Sequence, residues 1–227
     1  MKFAFNGDKT KPVLLFVHGS PGSWEGWTHF LKDPDLLAHF FIIAVDRPGF
    51  GGSGAGNPER SLRQQALMIL DVLQFAQNSA QVILVGHSYG GPVVAQMAVL
   101  VPEKIKGVVF AASSVSPQLE DVRWYQHLGH AWPFRYLLSD DLSSCNEEIY
   151  VLEKELTKLA PGLKDFRPSV SIVHGDADPL VPVANVAYLH EKLPVGSIKF
   201  ERVLKGANHF LPWEHPQDIK DAILTLR

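Results

Sequence analysis

Short apolar runs recur along the chain, and longer amphipathic stretches separate them. The runs are rich in aliphatic residues, and the first five are nearly continuous, which is typical of strands buried on both faces of a parallel sheet. Residues 2–5 are expected to add an edge strand. The pattern predicts six further strands, at residues 13–17, 40–45, 82–85, 108–112, 170–173 and 198–204.

Helices are predicted between these strands. Apolar residues repeat at intervals of three and four from Leu62 to Ala76, which places one apolar stripe on a helix near residues 61–77. Strands that alternate with helices form βαβ units with right-handed crossovers. The predicted fold class is therefore α/β, with a doubly wound, mostly parallel sheet. The remaining helices are expected at residues 90–100, near 183–192, and from about 217 onward.

One stretch breaks this alternation. No strand pattern occurs between Ser113 and Pro168, and a structureless loop of that length is uncommon in a compact domain. Asn146 is a good capping residue with apolar positions at helical spacing after it, which predicts an amphipathic helix. We therefore expect a single domain, residues 1–227, with a small helical cap inserted at residues 114–168. The segment before the predicted helix is aromatic, with Trp124, Tyr125, Trp132, Phe134 and Tyr136.

The composition narrows the classes of partner. Hydrophobic residues make up 46% and charged residues 20% of the chain, with a net charge of −3. Nothing in this balance favours nucleic acid or an anionic membrane surface. No apolar run approaches the roughly 18 residues of a membrane-spanning helix, and the first residues lack the apolar region of a signal peptide. The single cysteine, Cys145, cannot form an internal disulfide, so we expect a cytoplasmic protein.

The most specific chemical signal is the run Gly86-His87-Ser88-Tyr89-Gly90, which follows one predicted strand and precedes a helix. A G-x-S-x-G pattern in that context is typical of a nucleophile elbow, a tight turn that exposes the serine hydroxyl. The two glycines are needed because a side chain at either position would collide with the neighbouring strand or helix. The turn also places the serine near a helix N-terminus, where developing negative charge is favoured. Ser88 is the predicted nucleophile.

A serine hydroxyl needs a base to take its proton, and ten histidines compete for that role. His209 follows the last predicted strand and suits a triad with the chain order serine, aspartate, histidine. His18 and His174 end strands but are followed by glycine, and His87 adjoins the serine. We expect these three to be turn or core histidines, and His209 to be the base.

The acid of the triad should follow a strand between these two points. Two aspartates, Asp176 and Asp178, follow the predicted strand at 170–173. Asp178 lies further into the loop and can reach across toward His209, where a carboxylate would orient the imidazole and stabilise its cation. Asp176 lies closer to the strand and is expected to cap the turn. Asp178 is the predicted acid, with Asp176 as the alternative.

Acyl chemistry also requires two donors for the tetrahedral oxyanion. One is expected to be the backbone N–H of Tyr89, the residue after the nucleophile. The second should come from the loop His18-Gly19-Ser20-Pro21-Gly22, which follows the first central strand. Its glycines allow the loop to turn back over the site. The Ser20 N–H is therefore the second predicted donor.

These motifs together resemble the α/β-hydrolase superfamily over essentially the whole chain. The run 46–53, which begins with Asp46 and Arg47, is similar to the glycine-rich turn of that superfamily, and both residues are expected to be structural. The loop at residues 18–24 resembles the branch with epoxide hydrolases and haloalkane dehalogenases, whose nucleophile is an aspartate. Because this chain has Ser88 there, the resemblance implies the serine members instead. These are esterases, lactonases, C–C-bond hydrolases, prolyl aminopeptidases and cofactor-free perhydrolases.

The expected activity is cleavage of a small-molecule carboxylic ester through an acyl-Ser88 intermediate. A lactonase or C–C-bond hydrolase with the same triad is the alternative within enzymes, and a catalytically idle hydrolase-fold receptor is the alternative outside them. Cap residues 124–136 are expected to set the preferred acyl length. No cofactor or metal is expected, because no two histidines have zinc-site spacing and the glycine run at 49–56 is not a nucleotide fingerprint. The sequence carries no signal for an oligomeric state.

Overall fold

A sheet of seven strands organises the computed structural model, which describes residues 1–78, 81–120 and 139–227. The strand order is β1-β3-β2-β4-β5-β6-β7. β1 pairs antiparallel with β3, and every other neighbouring pair is parallel. This confirms the predicted doubly wound, mostly parallel sheet. The strands are β1 (Phe3–Asn6), β2 (Val13–Val17), β3 (Phe41–Val45), β4 (Val82–His87), β5 (Ile105–Ala111), β6 (Ser169–Gly175) and β7 (Ile198–Leu204).

Helices cover both faces of the sheet because consecutive residues of a strand point to opposite faces. One buried apolar cluster packs α3, α4, α6 and the C-terminal half of α5 on the sheet. The other packs α1, α2, α7 and α8 on the opposite face. The helices in the described ranges are α1 (Thr28–Leu31), α2 (Pro34–His39), α3 (Leu62–Leu70), α4 (Gly90–Leu100), α5 (Asp140–Leu159), α6 (Ala184–Lys192), α7 (Leu211–Glu214) and α8 (Pro216–Thr225).

Two helices begin or end at other residues than the sequence predicts. The predicted helix at 61–77 is α-helical only to Leu70 and continues as a 3-10 helix, Asp71–Phe75. The helix expected at Asn146 begins earlier, at Asp140, because Ser139 supplies a hydroxyl that accepts from the Leu142 amide at 3.4 Å. Acidic residues in its first turn also suit the positive end of the helix dipole.

The short helix α2 has no counterpart in the prediction. Its cap is Asp33, whose carboxylate accepts from the amides of Asp35 and Leu36, and Pro34 occupies the first helical position. Both are ordinary helix-start signals, but six residues are too few for an apolar repeat to show.

The described part of the predicted insertion contains α5 and two 3-10 helices, Pro117–Leu119 and Ala160–Asp165. The aromatic segment from Trp124 to Tyr136 lies outside the described residues. Within the three described ranges, no helix combines the length and apolar character that crossing a membrane requires.

Phe16 on β2 is a central residue of the core. Its side chain is 0% exposed, and its ring centroid lies 4.7 Å from that of Trp27 and 5.2 Å from that of Phe30. Replacing Phe16 by alanine should lower the free energy of unfolding by about 3–5 kcal/mol, through lost burial and the cavity that remains. Phe5→Ala makes the same change at a side chain that is 51% exposed and should cost at most about 1 kcal/mol. Urea unfolding of both variants measures this, and equal losses would contradict the assignment of the core.

Candidate active site

Ser88 occupies a strained turn between β4 and α4, with a φ of 53°. Its amide donates to Ala111 O at 3.0 Å, and its carbonyl accepts from the Gly91 amide at 2.9 Å. A Cβ on Gly90 would lie 2.3 Å from Val17 O, and one on Gly86 would lie 2.5 Å from Gly90 O. Only glycine fits at these two positions. The geometry is that of the elbow predicted from the motif.

His209 and Asp178 are joined by a hydrogen bond of 2.7 Å between Nδ1 and Oδ2. The other oxygen of Asp178 accepts from the amides of Leu180 and Val181 at 2.8 and 2.9 Å, and the carboxylate is 0% exposed. Burial alone would raise the pKa of Asp178, but the hydrogen bonds from His209 and the two amides outweigh it and lower that pKa. The carboxylate is therefore ionised and fixes the proton of His209 on Nδ1, which leaves Nε2 as the basic nitrogen.

Asp176 has a different partner. Its Oδ1 accepts from the Gly206 amide at 2.6 Å, at an exposed position in the turn after β6. Of the two candidate acids, Asp178 is the one that contacts His209. Asp176 instead links the loop after β6 to the loop after β7 through its hydrogen bond with Gly206.

His87 connects the His209 loop to the elbow. Its Nε2 lies 3.0 Å from His209 O, and the two rings lie 4.8 Å apart between centroids. A carbonyl can only accept, so Nε2 of His87 carries the proton. Burial, then the nearby His209, lowers the pKa of His87 to about 3. His87 is thus a neutral donor that holds the His209 loop next to the elbow of Ser88.

The loop after β2 lies directly against the nucleophile. A Cβ on Gly19 would lie 2.9 Å from the Cβ of Ser88, so the backbone of this loop approaches Ser88 as closely as a glycine allows. The loop that carries Ser20 thus lies against Ser88 through Gly19, and Tyr89 follows Ser88 directly in the chain. Within the described part of the chain, neither the Ser20 amide nor the Tyr89 amide donates to another protein atom.

Arg47, from the turn after β3, holds this loop from behind. The side chain is 0% exposed. Its Nε donates to His18 O at 2.9 Å and its Nη2 to Gly19 O at 3.0 Å. The guanidinium lies between the rings of Phe50 and Tyr89, with its carbon 4.6 and 4.5 Å from their centroids. This agrees with the structural role expected for Arg47.

The partner of Arg47 is Glu148 on α5, which sequence reasoning did not single out. The two charges meet at 2.7 Å, and both side chains are 0% exposed. Burial raises the pKa of Glu148, while Arg47 acts to lower it. A signal was present, because Glu148 shares one helical face with Leu152, Leu156 and Leu159, and this spacing predicts burial.

Metal ligands do not converge here. The described residues include no group of three or more His, Cys, Asp or Glu side chains suited to a metal ion. His174, which precedes the two aspartates in sequence, lies 3.0 Å from Val181 O through its Nε2. The same nitrogen is 3.8 Å from the Asp178 carboxylate. Because burial lowers the pKa of His174, this contact is not an ion pair.

The fold and these motifs define the family. A family model for the alpha/beta hydrolase fold matches residues 12–144, and the chain belongs to this family. The matched range contains Ser88, Tyr89 and Ser20, whereas Asp178 and His209 lie beyond it.

Among curated proteins, the chain is similar to epoxide hydrolase 4 of Mus musculus, with 30% identity over 105 residues. It is also 32% identical over 105 residues to epoxide hydrolase B of Mycobacterium tuberculosis. Each match covers 45% of this chain but only 28% and 29% of these relatives, so the chain spans less than a third of their length. A lipase-esterase related protein from Clostridium acetobutylicum superposes with a TM-score of 0.75 at 16% identity, covering 100% of this chain and 99% of that one. That likeness shows the fold alone.

The neutral state of His87 predicts a pH dependence of stability. Unfolded, this histidine takes up a proton below its ordinary pKa of about 6.5; folded, it resists down to about 3. Falling pH therefore favours the unfolded state across this window. His87→Gln keeps a donor at similar reach but cannot titrate, so its free energy of unfolding should fall by about 2–3 kcal/mol less than the wild type's between pH 6 and pH 4.

Chemical denaturation across that pH range measures the difference. Parallel curves for wild type and His87→Gln would mean that His87 is already protonated in the folded protein.

Proposed function

We propose that this protein is a serine hydrolase that cleaves small-molecule carboxylic esters through an acyl-Ser88 intermediate. The observation that carries the proposal is the Asp178–His209 hydrogen bond of 2.7 Å, anchored beside the strained elbow of Ser88. An imidazole held by a carboxylate next to a serine on a strained turn is the arrangement that makes a hydroxyl nucleophilic.

In the proposed reaction, Ser88 Oγ attacks the ester carbonyl while Nε2 of His209 takes its proton. The oxyanion accepts from the amides of Ser20 and Tyr89. The intermediate collapses as His209 returns the proton to the departing alcohol. Water then attacks the acyl-enzyme with His209 again as base, and the carboxylic acid leaves with Ser88 restored. Asp178 keeps the imidazole oriented throughout.

Apolar side chains around the His209 loop favour a substrate with an apolar portion. Leu180, Phe210 and Trp213 are 54%, 50% and 53% exposed, although large apolar residues are usually buried. Trp213 packs edge-on against His87 at 5.5 Å, and Phe210 lies 6.1 Å from Trp213. We propose that residues 114–168 form a cap over this side and complete the pocket for the acyl chain.

The chemistry of Ser88 separates the proposal from epoxide opening, the activity named for the two curated relatives. A carboxylate that attacks an epoxide forms an ester, which water can cleave with the same machinery. A serine would form an ether, which has no carbonyl carbon for water to attack, and the enzyme would stop after one turnover. An ester substrate avoids this dead end because acyl transfer to serine gives another ester.

Ser88→Ala should lower kcat on p-nitrophenyl esters by about 10⁴–10⁶, because it removes the covalent route. The folded state should persist, since glycines set the turn. Ser114→Ala is the control, because it removes a neighbouring buried hydroxyl and leaves Ser88 in place. It should keep activity within a few-fold and still react with a fluorophosphonate probe. Esters of graded chain length, with lactones alongside, identify the substrate class. Activity of Ser88→Ala above a few per cent of wild type would contradict the mechanism.

Asp178→Asn should lower kcat by about three to four orders of magnitude at neutral pH, because the amide favours the wrong tautomer of His209. Asp176→Asn is the matched control. It alters a turn contact to Gly206 and should cost at most about tenfold in activity and about 1 kcal/mol in stability. Measuring kcat/KM and melting temperature for both variants tests this. A larger loss in folded Asp176→Asn would assign the acid to Asp176.

A further inference from the structure

Glu148 reaches from α5 into the back of the candidate active site and makes four hydrogen bonds there. Oε1 accepts from Arg47 Nη1 at 2.7 Å and from Gln65 Nε2 at 2.9 Å. Oε2 accepts from Arg47 Nη2 and from Ser20 Oγ, both at 3.0 Å. A carboxylate offers about four lone-pair sites, and all of them are occupied. This carboxylate therefore has one geometry available to it.

All hydrogen-bond donors of Arg47 are used as well. A guanidinium has five N–H donors. Nε binds His18 O, Nη1 binds Glu148 and Gln65 Oε1, and Nη2 binds Glu148 and Gly19 O. Arg47 is 0% exposed, so no water can replace an acceptor that the side chain would lose by rotating.

Gly19 O accepts two hydrogen bonds, from Arg47 Nη2 at 3.0 Å and from His18 Nδ1 at 2.7 Å, and together they determine where the Ser20 amide points. The carbonyl of Gly19 and the N–H of Ser20 belong to one planar peptide, which is trans, as the cis bond of this loop is the next one, Ser20-Pro21. In a trans peptide these two groups point in opposite directions. Because Arg47 and His18 hold Gly19 O on one side, the Ser20 N–H is turned to the other, the side of the proposed oxyanion.

We propose that Glu148 is a positioning residue for the oxyanion hole: it holds Arg47, and through Arg47 and the Ser20 hydroxyl it sets the Gly19–Ser20 peptide. This inference rests on the proposed function. Stability alone does not account for a buried ion pair here, because such pairs are often no more stable than apolar replacements of the same volume. The Arg47–Glu148 pair, in which every N–H donor of Arg47 has an acceptor, does fix the orientation of the guanidinium.

Glu155 offers a matched control on the same helix. It is also buried on α5 and accepts from the Leu62 amide at 3.1 Å, at the start of α3. It thus anchors α5 to the body of the protein without touching the loop after β2. Glu148→Gln and Glu155→Gln make the same chemical change at two buried carboxylates of one helix, and only the first disturbs Arg47.

The experiment compares kcat, KM and inhibition by an aryl trifluoromethyl ketone, which adds to serine as a tetrahedral oxyanion. Misplacing an oxyanion donor weakens interactions made only in the transition state, so it lowers kcat and leaves KM unchanged. Glu148→Gln should lose about tenfold to hundredfold in kcat, with KM within about threefold. Its inhibition constant should rise by a similar factor. Glu155→Gln should stay within about twofold of wild type in all three.

Two further variants keep the test decisive if Glu148→Gln does not fold. Arg47→Met with Glu148→Leu removes both charges and should fold, since apolar replacement of a buried pair is tolerated, but it should keep the loss in kcat. Ser20→Ala removes only the hydroxyl contact and should show a smaller loss of the same kind.

A folded Glu148→Gln with wild-type kcat, a loss confined to KM, an equal loss in Glu155→Gln, or full kcat in the double variant would each overturn the proposal. If wild type and Glu155→Gln are active and Ser88→Ala is not, the proposed function stands whatever Glu148 shows. If wild type is as inactive as Ser88→Ala, the proposed function fails and this inference fails with it.

Discussion

A buried arginine whose five donors all need acceptors organises the loops at the carboxyl edge of this sheet. Arg47 is 0% exposed, and an unpaired charge at such a depth would be costly. Two acceptors are the carbonyls of His18 and Gly19, and the others come from Gln65 and Glu148. The turn after β3, the loop after β2, α3 and α5 must therefore meet at one point for the protein to fold.

The hydrogen-bond partners of the four buried histidines determine which ring nitrogen carries the proton in each. The amide of Arg47 donates to His18 Nε2 at 2.9 Å, so that ring carries its proton on Nδ1. His87 and His174 face carbonyls through Nε2, so they carry protons there. Burial lowers the pKa of all three, which makes them neutral. Of the four buried histidines, His209 alone has a carboxylate at hydrogen-bond distance. The side chains of the other three hold loops in place.

Sequence predicted what depends on local patterns. Continuous aliphatic runs located the strands because both faces of a parallel sheet are buried, and the elbow was visible because two close backbone approaches demand glycine. Asp178 was preferred to Asp176 as the acid only because it lies further into the loop. In the structure, Asp178 does bind His209. The Arg47–Glu148 pair could not be predicted, because the residues lie 101 positions apart and no motif or chain order links them as it links the members of the triad. Spacing showed that Glu148 shares a face with leucines, but only the tertiary fold brings a cation to it.

The backbone supports of this site do not depend on the side chain at position 88. The bonds to Gly19 O come from Arg47 and from the His18 ring, with Glu148 behind Arg47, and none of them uses the side chain of Ser88. The elbow fixes the backbone of residue 88 through contacts to Ala111 O and the Gly91 amide, which are equally independent of that side chain. A change of nucleophile would leave both supports in place. In the proposed mechanism, the side chain at position 88 therefore decides whether the covalent intermediate can be hydrolysed, while the surrounding loops decide how well its charge is stabilised.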